Sequence, residues 1–194
     1  MSKQLLSITL IALFIFSRTV MNIANFKAFA VVDLEEVAEF PIQQDGADYS
    51  IHDSGEAILE NCYDDEIERI LIPEFVEKDG RKYIVTEIGY EAFCACEKLK
   101  YVVLPNSVKK IGDEVFWYCK NLKFVKLSDH LEKIGIEAFK DCVHLKAIEI
   151  PKSVISIGER AFDGCNTLKE VRVYKQSSII YENIFSKDVN IIRI

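Results

Sequence analysis

The stretch KIGDEVFWYCKNL (110–122) decides the fold, because its pattern returns at a fixed interval of 23 residues. EIGYEAFCACEKL (87–99), KIGIEAFKDCVHL (133–145) and SIGERAFDGCNTL (156–168) repeat it. Isoleucine, glycine, phenylalanine, cysteine and leucine keep their places in all four copies. A regular repeat of this length is typical of a solenoid, in which stacked units bury a core that no single unit can form.

Each copy continues into a short run with apolar residues at alternate positions, such as LKYVVLP (99–105) and LKAIEIP (145–151). This run matches the strand of a leucine-rich repeat, and its period of two turns Val102 inward and Tyr101 outward. We therefore predict an α/β solenoid with a concave parallel sheet and one short helical turn per repeat. Upstream, the alternating stretch 47–63 predicts a β-hairpin cap.

At this point the sequence resembles a known family. IPKSVISIGERAFDGCNTLKEV (150–171) is similar to the BspA-like leucine-rich repeat, and residues 70–93 resemble the entry unit of that family. Such repeats occur in secreted and surface proteins of bacteria and some protozoa. The resemblance implies adhesion and the binding of host or matrix proteins, and it implies no catalytic residues.

Four parts of the chain are expected: a signal peptide over 1–30, an N-terminal cap over 31–69, the repeats over 70–173 and a C-terminal capping repeat over 174–194. The first 32 residues contain no Asp or Glu, and a short apolar run precedes the small-residue site AFA at 28–30. These features describe a secretory signal peptide. We expect either cleavage after Ala30 or an uncleaved membrane tether. The mature chain is then secreted, periplasmic or at the cell surface, without a stable membrane span.

Charge excludes one class of partner. Loss of residues 1–30 removes three cations and no acid, which changes the net charge from −7 to −10. An acidic surface repels phosphate backbones, so nucleic acid is not an expected partner.

The cysteines fall into two groups. Four share one repeat position, so we expect a structural ladder of buried thiols whose parallel side chains do not converge as a disulfide requires: Cys96, Cys119, Cys142 and Cys165. Catalysis, metal binding or bridging is the alternative, although no CxxC pair is present and a zinc site is not expected. Cys62 and Cys94 lie outside this phase. A disulfide between them is a hypothesis, and two unrelated thiols are the alternative.

Two groups of side chains on the concave sheet are candidate ligand contacts. An apolar cluster with a charged border is expected to meet water, unless the hairpin or the insertion at 74–83 covers it: Leu71, Tyr101, Val103, Phe124 and Lys126. A lysine column follows the recurring leucine, as either a solubilising strip or a site for an anionic partner: Lys100, Lys123, Lys146 and Lys169.

We interpret the chain as a recognition module that binds a protein or a glycan through its concave face, in the manner of an adhesin. No catalytic set, cofactor or metal site is expected. One alternative is a structural or accessory spacer without a ligand. Another is a glycan-active enzyme, since paired acids occur at 34–36 and 63–68 and carboxylate pairs serve glycoside hydrolysis.

Overall fold

The computed structural model describes residues 47–62, 66–175 and 184–194. The predicted signal peptide, the first part of the predicted N-terminal cap and Tyr181, which replaces the recurring glycine, lie outside the described residues.

Thirteen strands form in the described residues, and they confirm the predicted solenoid of parallel strands. They are β1 (Ala47–Ile51), β2 (Glu56–Cys62), β3 (Arg69–Leu71), β4 (Phe75–Lys78), β5 (Arg81–Ile88), β6 (Tyr101–Val103), β7 (Lys110–Ile111), β8 (Phe124–Lys126), β9 (Lys133–Ile134), β10 (Ala147–Ile150), β11 (Ser156–Ile157), β12 (Glu170–Val173) and β13 (Asn190–Arg193). One sheet has the order β1-β2-β5-β7-β9-β11, with β4 paired to β5. Two three-stranded sheets, β3-β6-β8 and β10-β12-β13, hold the leucine-rich-repeat strands.

The N-terminal hairpin is present. β1 pairs antiparallel with β2, and the turn between them places Gly55 at a φ of 88°, where glycine carries no steric cost. β2 then pairs in parallel with β5, so the hairpin forms the first rung of the stack.

The predicted helical turns are not confirmed, because the described residues contain no helix. The segment after each recurring glycine instead contains two left-handed residues, in the second turn Glu114 at 57° and Tyr118 at 63°. The equivalent positions of the other repeats are left-handed as well: Glu91, Ala95, Glu137, Asp141, Arg160 and Gly164. A right-handed helix cannot continue through such residues.

Hydrogen bonds between repeats explain this conformation. In the first three turns alternate amides donate to carbonyls of the next turn, as Phe93 N does to Val115 O at 2.9 Å and Phe116 N to Ala138 O at 2.8 Å. A helix needs those same amides for its internal bonds. We call this set of bonds the turn ladder.

The core is a set of aligned columns. The recurring phenylalanines stack with ring centroids 5.4 Å apart for Phe93 and Phe116 and 5.1 Å apart for Phe116 and Phe139. The four ladder cysteines are buried beside them, and three donate their thiol to the phenylalanine carbonyl of the preceding turn, at 2.9 Å for Cys119, 3.2 Å for Cys142 and 3.0 Å for Cys165. A buried thiol thus has a polar partner as well as apolar contacts.

Candidate binding face

The outward side chains of β3, β6, β8, β10, β12 and β13 form what we call the strand face. Parallel register aligns them into columns, with Arg69, Tyr101 and Phe124 in line in the first sheet. In the second sheet, Ala147 lies beside Glu170. The columns expected from the repeat length are therefore present, although two separate sheets carry them.

The N-terminal part of the strand face offers less apolar surface than expected. Val103 and Phe124 are only 5% and 7% exposed, so the expected solvent-exposed cluster is wrong for these two residues. Val103 lies between Leu71 and Lys126 in register, and strands under 5 Å apart let neighbouring side chains cover one another. Leu71 and Tyr101 are half-buried, and the Arg69 guanidinium lies 5.3 Å from the centre of the Tyr101 ring.

From Lys126 onward the strand face is polar and held by internal contacts. Lys126 forms an ion pair with Asp129 at 2.6 Å, and Arg172 contacts Glu170 at 3.3 Å. The Tyr174 hydroxyl donates to Glu149 Oε1 at 3.2 Å.

Burial and the Glu149 carboxylate raise the pKa of Tyr174, which keeps its hydroxyl protonated as a donor. Sequence reasoning missed Asp129 and Tyr174. Asp129 follows Lys126 by three residues and Tyr174 follows β12 directly, and that spacing was the available signal.

The lysine column runs along one border of the strand face. Lys100 is paired with Glu68 at 2.6 Å, and that hydrogen bond lowers the pKa of the Glu68 carboxyl. Lys123, Lys146 and Lys169 are exposed, and no carboxylate of the described residues lies within ion-pair distance of them. Backbone bonds hold their spacing, since Lys123 N donates to Lys100 O at 2.8 Å and Lys169 N to Lys146 O at 2.9 Å.

The hypothesised disulfide between Cys62 and Cys94 is not formed, and both residues carry thiols in the structure. Their backbones approach each other, because Cys62 N donates to Ala92 O at 3.0 Å. However, Cys62 is buried in the core, whereas Cys94 follows the buried Phe93 and is partly exposed. The two sulfurs therefore lie in different environments. Burial, together with Glu91 and Glu114, raises the pKa of the Cys94 thiol.

Thiol chemistry is suppressed in the cysteine ladder. Burial raises the pKa of Cys119 and Cys142 well above the usual range of a thiol, and neighbouring cysteines add to the effect. Burial also raises the pKa of Cys165 to about 12. Since the thiolate is the nucleophile and the metal ligand, these residues are poorly suited to either role.

Over 47–62, 66–175 and 184–194, no three His, Cys, Asp or Glu side chains gather as a metal site requires. In the same part of the chain no helix has the length and apolar character needed to span a membrane.

Comparisons with known proteins agree with this architecture, which is that of a leucine-rich-repeat solenoid. The model of the BspA type leucine-rich repeat region matches residues 84–194 with six copies. A leucine-rich repeat protein from Bacteroides capillosus is 35% identical over 68% of this chain and 96% of its own, with a TM-score of 0.63. The chain belongs to the BspA type leucine-rich repeat family.

Two more distant structures share the fold. A leucine-rich repeat protein from T. pallidum is 22% identical over 78% of this chain and 80% of its own, with a TM-score of 0.56. A leucine rich cell surface protein from Faecalibacterium prausnitzii is 22% identical over 73% of this chain and 47% of its own, with a TM-score of 0.55. Among curated proteins no match is found.

Proposed function

We propose that this protein is a secreted or cell-surface recognition module that binds a protein ligand through the strand face. The main support for this proposal is a row of exposed lysines at successive rungs. These lysines lack a carboxylate partner among the described residues: Lys123, Lys146 and Lys169. Cations aligned at fixed spacing favour an anionic partner, so we propose an acidic segment of a protein as the ligand and an acidic glycan as the second candidate.

The rest of the strand face supports recognition rather than catalysis. Its polar residues are already paired with one another, as Lys126 is with Asp129 and Glu149 with Tyr174. Rungs joined by backbone bonds hold these groups in place before a ligand arrives, which reduces the entropy lost on binding. The likeness to a leucine rich cell surface protein supports a location outside the cell.

The experiment is a charge-matched comparison. Replacing Lys123, Lys146 and Lys169 by serine removes three positive charges from the strand face. Replacing Lys82, Lys109 and Lys133 by serine is the control. These three lysines are exposed and lie in or directly before strands of the other sheet, so the control variant loses the same charge away from the strand face. Both variants are tested against immobilised matrix proteins and an acidic glycan array.

We expect the strand-face variant to lose at least about tenfold in affinity, with a weaker salt dependence, and the control variant to keep its affinity. An equal loss of affinity in both variants would mean that only the net charge of the protein matters, not the position of the lysines. Absence of any bound protein or glycan would favour a spacer and refute the proposal.

A further inference from the structure

The last regular turn of the stack borders a cleft of about 710 Å³. The lining residues belong to two stretches of chain: 157–169, without Ala161 and Thr167, and 184–189, without Lys187. The Phe162 and Phe185 rings still meet there, with centroids 4.9 Å apart, so the phenylalanine column continues past the cleft. The main chains on the two sides of the cleft have separated.

This separation leaves the turn ladder unfinished. Phe139 N donates to Ala161 O and Asp141 N to Asp163 O, each at 2.8 Å, as in the turns before. The next two bonds of the series would join Phe162 N to Ile184 O and Gly164 N to Ser186 O, and neither is formed among the described residues. Both donor residues line the cleft.

Free donors at residues i and i+2 form an open edge of the turn ladder, and backbone carbonyls at alternate positions of another chain segment can satisfy them. One thiol donor is missing as well. In the three preceding pairs of turns a cysteine thiol bonds the phenylalanine carbonyl, whereas the residue one repeat after Cys165 is the exposed Asp188. The Phe162 carbonyl therefore has a lone pair available to a donor. A site with both donors and acceptors suits a peptide better than an anion.

The charges of the lining residues indicate which kind of peptide the cleft favours. The Arg160 guanidinium is already paired with Asp163 at 3.0 Å and Glu137 at 2.8 Å. Glu159 and Asp188 are exposed lining residues without an ion pair in the described part of the chain. They outnumber the one remaining cation of the lining, Lys169.

We propose that this end cleft binds a segment of another polypeptide, carrying lysine or arginine, whose backbone adds a rung to the turn ladder. The carbonyls of that segment accept from Phe162 N and Gly164 N. Its apolar side chains contact the half-buried lining residues Ile157 and Ile184, and its cations lie near Glu159 and Asp188. The site shares only Lys169 with the lysine column of the strand face and does not depend on the proposed function.

The test uses the full chain, labelled with nitrogen-15, and a capped eight-residue peptide of alternating valine and lysine. A second peptide with glutamate in place of lysine is the control. Fluorescence anisotropy measures affinity, and amide hydrogen exchange reports the ladder directly. The amides of Phe139 and Asp141, which are already bonded, serve as internal references.

We expect the lysine peptide to bind at least about tenfold more tightly than the glutamate peptide. It should slow exchange at Phe162 and Gly164 by about tenfold or more, toward the rates of the reference amides. Glu159→Gln with Asp188→Asn should weaken binding about tenfold. Glu97→Gln with Glu132→Gln, at exposed positions away from the cleft, should not. Lys123→Ser with Lys146→Ser, two lysines that do not line the cleft, should also leave binding unchanged.

Three results would overturn the proposal. Phe162 and Gly164 amides that exchange as slowly as the references in the protein alone would show that the ladder is already filled. Binding without protection of these amides would place the peptide elsewhere. The charge argument would be refuted if the lysine peptide and the glutamate peptide bound equally well, or if neither bound at about 1 mM.

Discussion

Replacing Gly135 by alanine tests how closely the rungs approach. A Cβ on Gly135 would lie 2.3 Å from Gly112 O and 2.4 Å from Gly112 C, whereas a Cβ on Gly112 would meet nothing nearer than 3.0 Å. Neither glycine has a positive φ, so alanine can adopt either backbone conformation. The two substitutions therefore differ only in the space available.

The magnitude follows from that space. Relief of the Gly135 overlap requires about 1 Å of movement between rungs, and it stretches the bond from Gly135 N to Ile111 O, now 2.9 Å. Overpacking costs about 1–3 kcal/mol and the weakened hydrogen bond about 1 kcal/mol. The lower entropy of the unfolded alanine chain returns about 0.4–1 kcal/mol. We expect Gly135→Ala to lower the free energy of unfolding by about 2 kcal/mol and Gly112→Ala by less than about 1 kcal/mol.

Urea unfolding followed by circular dichroism measures both variants beside the parent protein. A loss of about 2 kcal/mol corresponds to a fall in Tm of about 4–8 °C for a chain of this size. Equal stability of Gly135→Ala and Gly112→Ala would refute the argument from rung contact. It would mean that the stack expands at this position without cost.

Three further results are expected. Phe116→Ala should cost about 3–5 kcal/mol in urea unfolding, because Phe116 is fully buried between two rings; an equal cost for Phe185→Ala, at the end of the column, would contradict this. Iodoacetamide at pH 8 should modify Cys94 before any other cysteine in the folded protein, as peptide mass spectrometry shows, and early labelling of Cys142 would disprove its burial. The pKa of Cys165 is raised from 9.0 to about 12 in the folded protein. The contribution of this thiol to stability should therefore be constant well below pH 9 and fall as the pH rises from 9 toward 12. The decline of the urea midpoint should be shallower for Cys165→Ser, and an unchanged slope would contradict the assignment.

Much of the fold was accessible from spacing alone. The 23-residue interval is enough to align Tyr101 with Phe124 and to bring the ladder cysteines into one environment, because equal units stacked in register bring equivalent residues together. The hairpin turn was also readable, since Gly55 favours a positive φ. The candidate site was less accessible. Alternation predicted that Phe124 points outward, but its 7% exposure depends on neighbours that alternation does not describe.

The sequence by itself determined the repeat, its length and the register of the columns, because these need only an equal count of residues between equivalent positions. The tertiary structure alone decided the turns and the end cleft. Residues such as Glu114 and Tyr118 are left-handed where local preference suggests a helical turn, since their amides bond a carbonyl in the following repeat. A bond between residues 22 positions apart forms only after the units have stacked. The end cleft likewise exists only in the stacked protein, where the turn ladder ends although β12 and β13 still pair.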